Sequence, residues 1–238
     1  MALLMKPLPE PLCAQCGRPI LSETVEPAAN SAFGPGKREN TSPRICHLCR
    51  RQTYDFDIAR SFGRYSLPMS RAILLFKYGE VTPLGGWFAK RLAGLVRANP
   101  DAFSADVLVP VPLDAARFRE RGYNQAELIA RPLARILGIP FRSWLLVRTK
   151  PRPDKIRLTR RERWETVRGA YAAHKGAQVD KLRVLLVDDV FTTGATLDAC
   201  SRALRQAGAS RVVGLTVARA LSQLTAPDMA SPYQDLGE

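Results

Sequence analysis

Val184-Leu185-Leu186-Val187-Asp188-Asp189-Val190-Phe191-Thr192-Thr193-Gly194-Ala195-Thr196 is the stretch that decides how this chain is read. Four consecutive apolar residues, Val184 to Val187, predict a short strand buried on both faces, as in parallel sheets. Two carboxylates follow at once, then a Thr/Gly turn, then an apolar-periodic helix through Leu197, Cys200, Leu204 and Ala207. That order suits a phosphorylated sugar. Asp188 and Asp189 can accept hydrogen bonds from vicinal hydroxyls. The N–H groups and hydroxyls from Thr192 to Thr196 can surround a phosphate at a helix N-terminus, where the helix dipole favours negative charge. A strand ending in a solvated acidic turn would account for the apolar run and the acids, but not for so many residue types at fixed offsets.

The segment resembles the 5-phosphoribosyl diphosphate (PRPP) signature of type I phosphoribosyltransferases: four apolar residues, two acids, two apolar residues and a Thr-Gly-x-Thr loop. Phe191 is bulkier than the usual aliphatic at its position. The resemblance implies that Asp188 and Asp189 hold the ribose hydroxyls and act as the catalytic pair if the site is catalytic. Val190, Thr192, Thr193, Gly194, Ala195 and Thr196 then line the 5-phosphate site, and magnesium accompanies PRPP. Purine-salvage relatives place a carboxylate where this chain has Thr192, which cannot act as a general base at neutral pH. Purine salvage is therefore disfavoured.

A chain of 238 residues, 46% hydrophobic, has room for one medium domain and a small appendage. No apolar run reaches membrane-spanning length, and Met1 to Pro7 lacks the apolar core of a secretory signal, so a cytoplasmic protein is expected. The 36 Lys and Arg against 22 Asp and Glu leave a formal charge of +14. Polyanions such as nucleic acid are favoured partners, although Arg-rich composition alone gives a similar total.

Cys13-Ala14-Gln15-Cys16 and Cys46-His47-Leu48-Cys49 are two C-x-x-C pairs separated by 29 residues. Four thiolates converging on one ion make a closed, structural zinc site with no open position for substrate. The Pro-, Gly-, Ser- and Asn-rich stretch between them reads as a long exposed excursion. His47 is a possible substitute ligand but is expected to face solvent. Cys200 is expected in the core. A ribbon this small depends on its metal to fold.

Farther on, a strand or extended approach is expected near Ala59 to Tyr65. Helices are expected over Ser70 to Tyr78 and through Phe88, Leu92 and Val96, with a break at Gly79 and Gly85-Gly86. Asp106 to Leu113 reads as a buried strand entering a Pro-punctuated loop, which parallel pairing would place at the same end of the sheet as Asp188. Basic residues follow it: Arg117, Arg119 and Arg121. With Pro112, Arg117 and Arg121 are the candidates for the diphosphate, unless they form only a solvated basic turn. A strand is expected in Phe141 to Val147, and Val212 to Ala218 should close the sheet. From Arg142 to Arg168 ten basic residues face three acids, a local net charge of +7. Arg152, Lys155, Arg157, Arg160 and Arg161 are candidates for nucleic-acid phosphates, with Tyr123, Trp144 and Trp164 as candidate stacking rings. A hydroxyl-capped helix is expected to start at Thr159.

Four pieces together resemble the ComF family of bacterial competence-associated proteins. They are the C-x-x-C pairs, Phe76-Lys77-Tyr78, Val109-Pro110-Val111-Pro112-Leu113 with Arg121-Gly122-Tyr123-Asn124-Gln125-Ala126-Glu127, and Val184 to Thr196. Lys155, Arg157 and Thr166 depart from the residues usual in that family's basic loop. The resemblance implies an α/β type I phosphoribosyltransferase fold, mostly parallel and flanked by helices, with an amino-terminal zinc ribbon. It implies a link to single-stranded DNA uptake in natural transformation and to proteins of the competence machinery. The expected organisation is a zinc-ribbon module at 1–58, a phosphoribosyltransferase-like domain at 59–222 and a disordered tail at 223–238. The acceptor of a transfer reaction is not identifiable, so an active transferase and a PRPP-binding DNA handler both stand.

Overall fold

The computed structural model describes residues 5–20, 44–51, 54–151 and 159–221, with the side chain of Arg160 left aside. In chain order the elements are α1 (His47–Arg51), β1 (Ile58–Arg64), α2 (Met69–Tyr78), α3 (Leu84–Ala98), β2 (Val107–Pro110), α4 (Ala115–Arg121) and α5 (Gln125–Leu137). A 3-10 turn (Ser143–Leu145) leads to β3 (Leu146–Arg148), α6 (Arg160–Val167), β4 (Tyr171–Ala173), β5 (Arg183–Phe191), α7 (Ala195–Gln206) and β6 (Arg211–Arg219). Four strands form one sheet in the order β1-β6-β5-β2, every neighbouring pair parallel. This is the type I phosphoribosyltransferase architecture expected from the sequence.

Alternation along β5 explains the layers. Leu185 and Val187 join Ile73, Phe76, Phe88, Leu92, Ile129 and Leu133 on the face covered by α2, α3 and α5. Val184 and Leu186 join Leu197, Cys200 and Leu204 of α7 on the other face. Each such aliphatic residue contributes about 1.5–3 kcal/mol when fully buried. Asn124 caps α5 through its Oδ1, which accepts from the Ala126 N–H at 3.0 Å, and Gly138 ends that helix at φ 69°.

Several elements differ from expectation. Gly85 and Gly86 lie in the first turn of α3 rather than in a break. A Cβ at Gly85 would stand 2.6 Å from the Leu128 carbonyl oxygen, so its absence lets α3 approach α5 closely. That carbonyl is the one Pro132 has no N–H to satisfy. The basic stretch after Asp114 is a helix, α4, capped by the Asp114 carboxylate through the N–H groups of Ala116 and Arg117, each at 3.1 Å. β5 continues past the two acids to Phe191, because β6 is equally long and pairs Asp188 with Thr216 and Val190 with Ala218. β6 lies between β1 and β5 instead of closing the sheet.

The expected strand at Phe141 to Val147 is reduced to one bridge, Leu108 with Phe141. Pro110 and Pro112 have no N–H to extend that ladder. The chain turns away, and β3 pairs antiparallel with β4 in a separate two-stranded sheet.

Residues 5–20 run beside β1. The Ala59 N–H donates to the Gln15 carbonyl at 2.8 Å and the Arg64 N–H to the Lys6 carbonyl at 3.0 Å. Arg60 donates to the carbonyls of Ala14 and Gln15 at 2.9 and 3.2 Å. Cys13, Cys16 and Cys46 consequently belong to the same apolar cluster as β5 and α7. No helix among the described residues is long and apolar enough to cross a membrane. The excursion between the cysteine pairs and the tail at 223–238 lie outside the described residues.

Candidate functional site

The parallel register places the ends of β2 and β5 side by side, Pro110 opposite Val187, so both following loops open at one end of the sheet. Asp188 and Asp189 follow the continuous buried run Val184 to Val187 in β5. Asp189 is 8% exposed and pairs with Lys77 of α2, Nζ to Oδ2 at 2.8 Å. Burial alone would depress the Lys77 ammonium, but the facing carboxylate outweighs it and holds the pKa above the ordinary lysine value. Asp188 lies toward α7 and β4. Its charge, added to the dominant effect of burial, raises both the Tyr171 phenol and the Cys200 thiol. Asp188 also accepts from the Asp189 N–H at 2.8 Å.

Thr192 and Thr193 are partly exposed, and Gly194 precedes α7 at φ 86° in the left-handed region. A Cβ there would lie 2.7 Å from Phe191 Cζ. The Thr193 hydroxyl accepts from the Ala195 N–H at 3.3 Å. The first-turn N–H groups of α7 face the loop without intrahelical partners, as at any helix start. A turn of this kind at a helix start is able to receive an anion. Asp198, 2% exposed in the first turn of α7, is engaged elsewhere: it accepts from the Asp55 N–H at 2.7 Å and pairs with Arg202 at 3.4 Å. Burial raises its pKa.

The third wall comes from β2 and α4. Val111 donates its N–H to the Val187 carbonyl at 2.9 Å, and its own carbonyl accepts from Asn124 Nδ2 at 3.0 Å, which fixes the Pro112 loop. Arg121 donates to the Tyr78 hydroxyl at 2.9 Å and lies over that ring at 4.6 Å. Tyr123 donates its hydroxyl to the Phe76 carbonyl at 2.6 Å. Phe76-Lys77-Tyr78 and Arg121-Gly122-Tyr123 thus interlock, with Lys77 between them reaching Asp189. Arg117 stays near its own helix cap, 3.9 Å from Asp114. Lys77 is the residue that the sequence reasoning left without a role. Its signal was its place in a motif already singled out.

Among the candidate nucleic-acid residues, Arg152, Lys155 and Arg157 lie outside the described residues, as does the side chain of Arg160. Arg161 is exposed and pairs with Glu165 at 2.8 Å. The expected hydroxyl cap is present: Thr159 and Glu162 form a reciprocal capping box on α6. Of the three candidate rings, Tyr123 packs on Phe76 and Trp164 tilts against Tyr54 at 5.8 Å, while Trp144 is half exposed. Trp144 borders a cavity of about 490 Å3 with Pro112, Phe118, Arg119, Asn124 and Arg148.

The four expected cysteines come together. Cys13 with Cys49, and Cys16 with Cys46, have sulfurs 3.7 Å apart, and all four lie within 4.8 Å of one another. A tetrahedral ion about 2.3 Å from each sulfur would set neighbouring sulfurs about 3.8 Å apart, so the cluster is sized for such an ion. His47 is exposed and outside the cluster, and Cys200 is fully buried.

Residues 123–233 match the phosphoribosyl transferase domain family. Competence protein F of Haemophilus influenzae is 32% identical over 179 residues, covering 74% of this chain and 78% of that protein. Competence protein ComFC of Bacillus subtilis is 28% identical over 213 residues, covering 87% and 78% respectively. DNA utilization protein YhgH of Salmonella typhimurium is 26% identical over 204 residues, covering 84% and 81%. The chain belongs to the ComF family of the phosphoribosyltransferase superfamily.

Proposed function

We propose that the open end of the sheet binds PRPP or a related 5-phosphoribosyl group, and that the protein uses this site while handling single-stranded DNA in natural competence. One observation carries the ligand: the two acids near the end of β5 are followed within a few residues by a left-handed Gly194 and the start of α7, at the same end of the sheet as the loop after β2. In this reading Asp188 and Asp189 accept the ribose hydroxyls, with Lys77 fixing the Asp189 carboxylate. The 5-phosphate sits among Thr192, Thr193, Gly194, Ala195 and Thr196, with Val190 contributing backbone. Arg121 and Arg117 face the diphosphate across Pro112. Magnesium, when it accompanies the diphosphate, neutralises part of its charge.

Zinc suits the four sulfurs as a closed structural site, which makes residues 1–58 a ribbon docked on a domain at 59–222. The names of the relatives, competence proteins and DNA utilization proteins, support the DNA role, as does the formal charge of +14. A cytoplasmic setting and partners in the competence machinery belong to the same proposal. One feature favours a second reading, phosphoribosyl transfer to an acceptor: the cavity walled by Phe118 and Trp144 at the end of β2 has room for a planar ring.

The test is titration calorimetry of the full chain with PRPP and magnesium, followed by gel shifts with single-stranded DNA across a salt series. Saturable PRPP binding and a steep fall of DNA affinity with salt are expected. No heat with PRPP would remove the ligand, and a DNA affinity indifferent to salt would remove the partner. Pyrophosphate release with a panel of bases and amines separates the transferase reading.

A further inference from the structure

Two aromatic rings close on Gly194: Phe191 is tied through Arg219 to the first cysteine pair, and Tyr54 follows the second pair in the sequence. The first is Phe191. Its ring lies 3.7 Å beneath the guanidinium of Arg219, the last residue of β6 and 2% exposed. Arg219 Nη2 donates to the carbonyl of Cys16. The Phe191 carbonyl accepts from the Ala220 N–H at 2.9 Å, so ring and backbone are both tethered to the end of β6.

The second ring is Tyr54, five positions beyond Cys49. It stacks on Phe56 at 4.7 Å, and Phe56 meets Phe191 edge-on at 6.2 Å. The Tyr54 hydroxyl points to the Thr193 carbonyl at 3.4 Å. A Cβ on Gly194 would lie 2.7 Å from Phe191 Cζ and 3.1 Å from Tyr54 Cε1. The turn has no slack on either side.

The cysteine pairs themselves are interleaved, Cys13 meeting Cys49 and Cys16 meeting Cys46. An ion bound by all four sulfurs fixes the two pairs relative to each other. Through Arg219 it then bears on Phe191, which packs through Phe56 onto Tyr54, the second ring at the turn. We propose that Arg219 and Tyr54 are positioning residues through which metal occupancy of the cysteine site sets the affinity of the Thr192–Thr196 turn for a 5-phosphoribosyl ligand. The proposal rests on the PRPP reading of that turn. It adds a control that the sequence of the turn does not contain: the metal acts without touching the ligand, by holding the backbone N–H groups in their anion-binding arrangement. Linkage makes the effect reciprocal, so PRPP tightens metal binding by the factor by which metal tightens PRPP binding.

The experiment uses the full chain. PRPP affinity, with magnesium present, is measured by calorimetry for wild type, Arg219→Met, Tyr54→Leu and Tyr54→Phe. Metal content is determined for each, and circular dichroism checks the fold. Arg219→Met and Tyr54→Leu are expected to retain one metal ion per chain and lose about tenfold or more in PRPP affinity. Tyr54→Phe keeps the ring and should stay within about twofold of wild type. Removal of the ion with a zinc chelator, followed by desalting, should weaken PRPP binding to wild type by a similar factor and change little in Arg219→Met. In a competition titration against a chromophoric chelator, PRPP should tighten zinc binding to wild type and not to Arg219→Met.

Wild-type binding of PRPP that is the same in Arg219→Met and Tyr54→Leu overturns the proposal while leaving the PRPP reading intact. Zinc affinity untouched by bound PRPP overturns it too, even if the metal-depleted chain does not stay folded. Wild type that binds no PRPP in the metal-loaded state overturns the PRPP reading and the proposal with it.

Discussion

Breaking the Lys77–Asp189 pair should uncouple α2 from β5 by a measurable amount. At 2.8 Å an effective dielectric of about 20 gives a Coulomb attraction of roughly 6 kcal/mol. Removing both ions from water offsets most of it. The side chains are 22% and 12% exposed, between the surface regime of about 0–1 kcal/mol and the buried regime of about 3–5 kcal/mol for loss of one partner. A coupling of about 2 kcal/mol follows. The assay is a double-mutant cycle of Lys77→Met and Asp189→Asn, read by denaturant unfolding at pH 7. The folded pKa of Lys77 is raised, so its contribution is complete below the unfolded lysine value of about 10.4 and is lost as pH climbs through the folded one. The stability gap between wild type and Lys77→Met should therefore be flat from pH 6 to 9 and narrow only in strong alkali. A coupling under about 0.5 kcal/mol, or a gap that closes near neutrality, would refute this account.

Other outcomes follow from neighbouring features. Asp188→Ala with Asp189→Ala should leave the fold intact and weaken PRPP binding more than about 100-fold, since charged hydrogen bonds contribute roughly 1.5–3 kcal/mol each; calorimetry with unchanged affinity contradicts it. Gly194→Ala must take a side chain at φ 86° and 2.7 Å from Phe191, so a loss of about 1–3 kcal/mol in unfolding free energy is expected, with weaker PRPP binding. Gly17→Ala faces the same problem at φ 69°, with a Cβ 2.6 Å from the Ala59 carbonyl, and should loosen the first cysteine turn as seen by hydrogen exchange. Cys46→Ser should release the metal; one ion per chain retained in elemental analysis would count against a four-sulfur site.

The strand, turn and helix order of β5 and α7 was legible because its residues are contiguous: the apolar run, the acids and the Thr/Gly turn follow one another in the chain. That the loops after β2 and β5 share one end of the sheet was legible once both short apolar runs were read as strands of one parallel sheet; that the two strands are neighbours was not. Lys77 was not, because its partner Asp189 lies far away in the chain and a lysine ending an amphipathic helix reads as solvated. The strand expected at Phe141 to Val147 failed for a specific reason. Its apolar residues satisfied the pattern, but Pro110 at the end of β2 and Pro112 just beyond it withheld the donors needed to continue it. α4 was hidden because Ala115 to Arg121 contains one apolar aromatic and no stripe; its stability starts at the Asp114 cap. The spacing of the cysteine pairs was enough to expect the four sulfurs to cluster, as they do. Their fusion with the main core depends on Arg60 and Arg219, whose buried guanidinium groups no sequence pattern announces.

The segment that carries the first cysteine pair has one more consequence. β1 is bonded to β6 on one side only, and on its other flank the donors of Ala59 and Arg64 are taken by Gln15 and Lys6. The amino-terminal chain therefore stands in for a missing neighbour strand and shields an otherwise sticky sheet margin. Should demetallation peel it away, the bared row of amides and carbonyls becomes a template for other chains, and the first sign of metal loss would be self-association through extended pairing.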